Sequence, residues 1–299
     1  MPDCCIYLYG KVQHVEFFHT EHFRHNYLRQ KAGESIAYFI DFFWETNFDA
    51  LWNKYPKGFS DALFPNTGYT YLLNLGSPFV MQIGEKKFDM KTDGFLPRHR
   101  AIECFHQPGN KLFGIKFKIS PVIFEKKINF SEYREYIFPL SYLMDAAILS
   151  QVKKAESFEE RVVLLTTYFE KIIHQYSGSL KPIQIVSEIL AHCENNCDFV
   201  TPVEDFAKQY GISSRTLQRY FETATSISTK TAIQIMRIRK ATEHLVNDPG
   251  SFNSAGYGYY DHSHFYKHLK SFLQKNTIKK LQPHLKLLEK LHSRNTGTQ

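Results

Sequence analysis

The sequence predicts an α+β protein in which an N-terminal β-rich domain, a barrel or a sandwich, precedes an all-α C-terminal domain with two helix-turn-helix units. Short apolar or alternating runs bounded by turn residues fill the N-terminal part. Apolar residues at helical spacing dominate the C-terminal part, where a helix-turn-helix pattern occurs twice. With 299 residues and 43% hydrophobic content, the chain is long enough to bury two cores.

The predicted strands are short. They cover residues 37–44, 69–75, 79–83, 88–90 and 112–119, and clusters of Gly, Pro, Asn and Asp separate them. Strands of this length and spacing are typical of a barrel or a sandwich. We therefore assign residues 1–140 to the β-rich domain.

A mostly helical region, residues 141–178, is predicted to follow. Within it, residues 159–174 carry apolar side chains at helical spacing. These side chains form either a dimer seam or a face that covers the β-rich domain. They are Val162, Val163, Leu165, Phe169 and either Ile172 or Ile173.

The C-terminal domain is predicted over residues 179–285, with a basic tail at 286–299. Its first helix-turn-helix pattern lies at residues 203–221, where Gly211 supplies the left-handed residue that ends one helix and Ser213 or Ser214 caps the next. The inward-facing residues are Phe206, Ala207, Leu217 and Phe221. A helical hairpin in an unrelated domain is the alternative interpretation of this segment.

Three polar side chains project from the other face of the second helix in this pattern: Arg215, Gln218 and Arg219. In a helix-turn-helix this face enters the major groove of DNA. Arg suits guanine and Gln suits adenine, because each makes paired hydrogen bonds to the base edge. The formal charge of +7 also fits a polyanionic partner, although membranes and acidic proteins attract basic proteins as well.

A long helix is predicted at residues 229–246, and a second helix-turn-helix ending follows it. Asp261 is a good N-cap there, and Phe265, Leu269 and Phe272 form an inward stripe. The two patterns align with a repeat of roughly 48 residues. In that alignment His262, Ser263, Tyr266 and Lys267 stand where Ser214, Arg215, Gln218 and Arg219 stand in the first copy.

The segments GISSRTLQRYF and GYYDHSHFYKHLKSF, joined by a long helix, resemble the DNA-binding domain of AraC/XylS-type transcription regulators over about residues 200–283. The resemblance implies sequence-specific binding of double-stranded DNA, with two recognition helices in successive major-groove segments. An activator of this type would also contact RNA polymerase. The implied DNA contacts are Ser214, Arg215, Gln218, Arg219, His262, Ser263, Tyr266 and Lys267.

One departure from the family pattern lies before the second turn, where Ala255-Gly256-Tyr257 replaces a longer helical segment. The segment is about two residues short, and a residue turns an α-helix by roughly 100°. Gly256 lowers helix propensity further. We expect an irregular supporting helix and weak DNA reading by the second unit.

The segments FPNTGYTYLLNLGSPF and LFGIKFK resemble the cupin-like sensor half that precedes AraC-type domains in many regulators. This resemblance implies a pocket for a small-molecule effector, and control through homodimerisation or restraint of the DNA-binding half. Arg98, His99, Arg100 and His106 either line such a pocket or belong to an exposed loop.

Histidines and cysteines raise two metal hypotheses. His19, His22 and His25 would share one helical face, which could hold an ion or be a solvated polar face. Cys193 and Cys197 lie one helical turn apart and could form a thiol switch or a metal site, but they also fit ordinary reduced cysteines. Five unevenly spread cysteines do not resemble a disulfide framework. We predict no cofactor.

Enzyme and membrane motifs are missing from the sequence. It has no nucleotide-binding glycine motif, zinc-protease motif or nucleophile elbow, no leader and no long apolar run. These features predict a cytoplasmic, non-enzymatic protein without a membrane partner. The alternative is a DNA-processing enzyme, of the repair methyltransferase or glycosylase type, that carries the same DNA-binding domain.

Overall fold

The computed structural model describes His22, residues 25–125 and residues 136–273. The strands are β1 (Tyr27–Lys31), β2 (Ile40–Asn47), β3 (Ser60–Leu63), β4 (Tyr69–Asn74), β5 (Phe79–Ile83), β6 (Lys86–Met90), β7 (Gly94–Pro97), β8 (Ile102–Phe105), β9 (Lys111–Phe117) and β10 (Phe138–Pro139). The α-helices are α1 (Asp49–Lys54), α2 (Val122–Glu125), α3 (Ala146–Lys154), α4 (Phe158–Gln175), α5 (Lys181–Asn196), α6 (Val203–Gln209), α7 (Ser214–Thr225), α8 (Thr229–Asn247) and α9 (His262–Phe272). Short 3-10 helices lie at Leu140–Tyr142 and Ser254–Tyr257.

Within these residues the strands form two antiparallel sheets, ordered β1-β2-β9-β4-β7-β10 and β3-β8-β5-β6. Side chains alternate across the larger sheet. Phe42 and Trp44 belong to the apolar cluster shared with the smaller sheet, whereas Phe43 belongs to the cluster that extends into the helices. The predicted β-rich N-terminal part and helical C-terminal part are both confirmed.

The predicted strands are confirmed with adjusted ends. β2 starts three residues later than predicted, because residues 34–39 form turns. Several strands were not predicted: β1, β3, β7, β8 and β10. β3 (SDAL) and β8 (IECF) carry acidic residues, and β7 (GFLP) contains Gly and Pro, so their strand propensity is low and sheet pairing decides their structure.

Helix α4 covers the outer face of the larger sheet. Leu165 and Phe169 are buried there, and Phe169 meets Phe117 edge to face at 5.5 Å between ring centroids. Arg161 reaches the sheet as well, with a 2.9 Å contact to the buried carboxylate of Glu45. The apolar stripe of this helix is therefore used within the chain, and the interpretation as a dimer seam is wrong for its buried members, Val162, Leu165 and Phe169.

The C-terminal helices pack on one another and on the same face of the sheet. Buried residues of α5, α7 and α8 form one apolar cluster with the sheet residues Tyr69 and Phe117. Hydrogen bonds join the two halves: the Ser120 amide donates to the Ala224 carbonyl at 2.6 Å, and the Ser187 hydroxyl donates to the Tyr38 carbonyl at 2.7 Å. The end of α7 therefore lies directly against the β-rich part.

Candidate nucleic-acid interface

The first helix-turn-helix unit consists of α6, a turn and α7. Gly211 has a φ of +63°, the left-handed conformation predicted for the turn. Ser213 is the N-cap of α7, since its hydroxyl accepts the Thr216 amide at 3.1 Å. The predicted inward residues are all buried: Phe206, Ala207, Leu217 and Phe221. Local sequence thus determines this unit as predicted.

Helix α7 presents two exposed arginines, Arg215 and Arg219, on the side away from Leu217 and Phe221. Ser214, beside the N-cap, is half-buried. An exposed guanidinium on such a helix can reach a guanine edge or a phosphate. Contact with DNA by these residues stays a prediction.

Gln218 is placed differently from its two arginine neighbours. Its side-chain oxygen accepts the Thr229 amide at 3.3 Å, and its side-chain nitrogen donates to Glu222 at 2.7 Å. Thr229 is the first residue of α8, and amides at a helix start lack partners within the helix. Gln218 therefore ties α7 to α8, and a paired contact with adenine would compete with these two bonds.

Helix α8 links the two units, and two of its basic side chains, Arg237 and Lys240, contact other elements. The Arg237 guanidinium lies 3.8 Å from the centroid of the Tyr259 ring and donates to the Gly258 carbonyl. Lys240 contacts Glu194 at 3.5 Å. Both partners lie on other elements, which the periodicity of one helix cannot indicate.

The second unit consists of the 3-10 helix Ser254–Tyr257, a turn and α9. A four-residue 3-10 helix stands where the first unit has the seven-residue α6, so the predicted irregularity is confirmed. Gly258 has a φ of +74°, and Asp261 caps α9 by accepting the His264 amide at 2.6 Å. Phe265 and Leu269 are buried as predicted, whereas Phe272 is only partly buried.

The two turns differ by one residue. Ile212 alone separates Gly211 from the N-cap of α7, but Tyr259 and Tyr260 separate Gly258 from the N-cap of α9. Tyr259 is buried, and its amide bonds to the Ser254 carbonyl as the Ile212 amide bonds to Ala207. The additional residue is Tyr260, whose side chain is 94% exposed. If the two sequence patterns are aligned on Gly211 and Gly258 instead of on their second helices, the additional residue becomes visible.

Helix α9 presents two of its predicted contact residues to solvent, Ser263 and Lys267. The other two are half-buried. The His262 ring lies edge-on to Phe252, with centroids 6.1 Å apart, and the Tyr266 ring lies 5.4 Å from that of Phe265. The exposed face of α9 therefore carries fewer cationic groups in its first two turns than α7 does.

A cleft of about 240 Å³ lies between the β-rich part and helices α5 and α8. Lysine and arginine side chains line both walls, and Lys116 is paired with Asp41 at 3.0 Å. Lys118 donates to the Ala37 carbonyl at 2.7 Å. The basic lining residues are Lys116, Lys118, Arg239 and Lys240, and the acidic ones are Asp41 and Glu194.

The predicted pocket residues do not line this cleft. Arg98, His99 and His106 are buried in the β-rich part, so the interpretation as an exposed loop is wrong for them. Arg98 donates to Thr70 at 3.3 Å, and the His106 ring stacks on that of Phe48 at 3.6 Å. Arg100 is exposed. Residues distant in the sequence surround these polar groups, and short motifs do not encode such contacts.

The histidine hypothesis falls partly outside the described residues, because His19 does. His22 is buried rather than solvated; its Nε2 lies 2.6 Å from the Thr46 hydroxyl. His25 is exposed. Across residues 25–125 and 136–273 and at His22, no group of three metal-binding side chains is found.

The cysteines described are Cys104, Cys193 and Cys197, and all three are free thiols. Burial is the main cause that raises the pKa of Cys193, to about 12, and the nearby Asp198 adds to it. A protonated, buried thiol reacts slowly, because the thiolate is the nucleophile. No helix in the described part of the chain has the length and apolar content needed to cross a membrane.

Comparisons with known proteins give distant similarities only. No family model matches the chain, and no curated protein matches it. Among solved structures, ToxT from Vibrio cholerae aligns with 10% identity over 83% of this chain and 93% of that one, with a TM-score of 0.40.

Two further ToxT structures give similar values. ToxT from Vibrio cholerae O395 has 13% identity over 83% of this chain and 92% of that one, with a TM-score of 0.40. Wild-type ToxT of strain SCE256 with bound unsaturated fatty acid has 10% identity over 83% and 90%, with a TM-score of 0.38. At this distance the likeness assigns neither a family nor a function to the chain.

Proposed function

We propose that the protein is a sequence-specific DNA-binding transcription regulator of the AraC/XylS type. The observation that carries the proposal is the repeated unit: two left-handed glycines, at Gly211 and Gly258, each precede an N-capped helix, and α8 joins the units. A protein with two such units can contact two neighbouring segments of one DNA face.

Affinity and specificity come from different groups in this proposal. Phosphate contacts by exposed lysines and arginines supply most of the affinity and make it fall as salt rises. Arg215 and Arg219 supply most of the base reading in the first unit, because both are exposed on α7. In the second unit, DNA is contacted by Ser263 and Lys267, which are exposed on α9.

Control by the β-rich part would act through its contacts with α7. Ala224 and Thr225, at the end of that helix, accept hydrogen bonds from the Ser120 amide at 2.6 Å and the Tyr69 hydroxyl at 3.0 Å. A molecule bound in the cleft would touch both halves, and it could change this arrangement if it binds one arrangement more tightly than another. A small-molecule effector is therefore part of the proposal.

Homodimerisation and contact with RNA polymerase are further parts of the proposal. Homodimerisation is supported by one exposed apolar side chain. Val163 on α4 is 64% exposed, on the opposite side from the buried residues of that helix. The domain limits at 140, 178 and 285 and a location in the cytoplasm are proposed on the sequence pattern.

The alternative, a DNA-processing enzyme, would need a reactive cysteine or a dedicated catalytic segment, and Cys104 does not suit the first of these roles. Cys104 is buried in β8 within the apolar cluster between the sheets. A catalytic thiol requires access to its substrate and a lowered pKa. We therefore propose a protein without enzymatic activity.

The test is selection of bound sequences from a random duplex pool near physiological salt. Full-length protein is compared with an Arg215→Ala/Gln218→Ala/Arg219→Ala variant, and Lys208→Ala serves as a control on the neighbouring helix α6. An enriched motif that the triple variant loses and the control keeps supports the proposal. If full-length protein enriches no sequence, with or without effector candidates, the proposed function is wrong.

A further inference from the structure

The second unit has little helical support, yet its turn is held from the linking helix. In the first unit, Ile212 fills the turn as an apolar side chain. In the second, Tyr259 occupies that place and is buried. A tyrosine adds a hydroxyl and a broad ring face, so it can make contacts that isoleucine cannot.

The ring face of Tyr259 is covered by Arg237 of α8. The guanidinium carbon lies 3.8 Å from the ring centroid, well within the range of a cation–π contact. The same guanidinium donates to the carbonyl of Gly258. Arg237 therefore contacts both residues that shape the turn, and its planar, multiply donating group suits this double role better than a lysine would.

The hydroxyl of Tyr259 continues the connection into α9. It lies 2.7 Å from Nδ1 of His268, at the end of the second turn of that helix. Burial lowers the pKa of His268 to about 4, and the charges of Arg237 and His264 add to the effect. The imidazole is therefore neutral near pH 7, and its Nδ1 can accept a hydrogen bond from the tyrosine hydroxyl.

Val200, which precedes α6, also lies close to Gly258. A Cβ added at Gly258 would lie 2.3 Å from Cγ1 of this valine, so a larger residue here would require Val200 to move. Val200 and Arg237 therefore both lie next to Gly258, within 4 Å of the position that its Cβ would take. Side chains distant in the sequence provide the support that the 3-10 helix Ser254–Tyr257 is too short to give alone.

We propose that Arg237, Tyr259 and His268 set the angle of α9 against α8 and so allow the second unit to contact DNA. The proposal rests on the DNA-binding function proposed above. Arg237 and Tyr259 are positioning residues: they act through α9, whose Ser263 and Lys267 face solvent.

Hydroxyl-radical footprinting tests the DNA-binding consequence, with full-length protein on a duplex taken from the random-pool selection. Wild type should protect two blocks of DNA, the first contacted by α7 and the second by α9. Arg237→Ala should lose protection of the second block and bind about tenfold more weakly, a change of 1.4 kcal/mol, while it keeps the first block. Tyr259→Phe keeps the ring and loses the hydroxyl, so it should weaken the second block partly.

Arg237→Lys separates positioning from direct phosphate contact. It keeps the charge and loses the planar stacking group, so it should resemble Arg237→Ala. Lys267→Ala is the matched control on α9: it should weaken the second block with an unchanged thermal unfolding midpoint. The proposal is wrong if Arg237→Ala keeps both blocks, if Arg237→Lys behaves as wild type, or if wild type protects one block only.

Amide hydrogen exchange without DNA tests the positioning separately. Arg237→Ala should increase exchange in α9 about tenfold, with α7 unchanged. Equal exchange in α9 of both proteins would overturn the positioning role. If α9 loosens as expected while wild type protects no DNA, the DNA-binding function fails and the structural role of Arg237 stands.

Discussion

The two helix-turn-helix units reach a similar shape by different means. In the first, α6 and α7 follow from apolar spacing, a left-handed glycine and a serine cap that are all local in sequence. In the second, a 3-10 helix replaces the first helix, and Val200 and Arg237 hold the turn from outside the unit. The comparison teaches that a shortened motif can keep its final helix when long-range side chains replace the missing support.

The largest expected effect is a loss of stability on truncating a buried side chain. The first prediction compares this loss between the cores of the two helix-turn-helix units. Phe221→Ala removes a fully buried ring from the first unit and should cost about 3–5 kcal/mol. Leu269→Ala at the aligned position of the second unit should cost about 2–5 kcal/mol. Urea unfolding of both variants measures the difference. Equal losses below 1 kcal/mol would show that neither core is packed as described.

The second prediction compares the turn glycines. Gly211→Ala should cost about 1–2 kcal/mol for the left-handed backbone alone, since an added Cβ there meets no described atom within 4 Å. Gly258→Ala carries the same strain and an overlap with Val200, so it should cost about 1–3 kcal/mol more. Thermal unfolding checks the order of the two variants.

A double variant sharpens this second prediction. Val200→Ala removes the methyl carbon that a Cβ at residue 258 would overlap. Gly258→Ala/Val200→Ala should therefore be more stable than Gly258→Ala alone. A double variant with the sum of both single losses would show that the overlap has no energetic effect.

The third prediction concerns base reading by the first unit. Arg219→Ala should weaken binding by about 1–3 kcal/mol and relax preference at one base position. Lys267→Ala in the second unit should weaken all sequences evenly and reduce the salt slope by about 1. Binding titrations at several salt concentrations, with substituted duplexes, measure both. If Arg219→Ala keeps both affinity and preference, α7 does not read bases through that residue.

The fourth prediction concerns pH and the second unit. The folded pKa of His268, about 4, lies below its ordinary value of 6.5, mainly because of burial. Between these values the unfolded chain binds a proton that the folded chain does not, so stability falls as pH drops from 6.5 toward 4. With a discount for partial exposure, the loss should be on the order of 1–2 kcal/mol.

His268→Asn is the matched variant, because its amide oxygen can accept from Tyr259 without titration. Its unfolding free energy should fall less than that of wild type between pH 6.5 and 4, as measured by denaturant titration. His244 also has a lowered pKa, caused mainly by burial, and remains in both proteins. Parallel pH profiles would contradict the role given to His268.

The smallest expected effect belongs to Tyr260. Its side chain is 94% exposed, so Tyr260→Ala should leave stability unchanged. Tyr260 stands beside the start of α9, where we expect its hydroxyl to contact DNA. Tyr260→Ala should therefore weaken DNA binding by about 0.5–1.5 kcal/mol, the contribution of one polar contact. Binding titrations with Tyr260→Phe as the control measure the part due to the hydroxyl. Unchanged binding by both variants would place Tyr260 away from the DNA.

Prediction from the sequence was most successful where the signal is local. Neighbouring residues account for the helix α8, for the caps Ser213 and Asp261, and for the irregular segment before Gly258. Strands β3, β7 and β8 were missed, because their residues have weak strand propensity and pairing with neighbours stabilises them.

The sequence by itself determined the order of the two parts, the two turns and the inward faces of their helices, because these depend on backbone preferences and on spacing within a few residues. Only the tertiary structure decided that Arg237 covers Tyr259, that Gln218 bonds to Thr229 and that His22 is buried. Polar side chains take partners wherever burial denies them water, and those partners lie on elements far away in the chain.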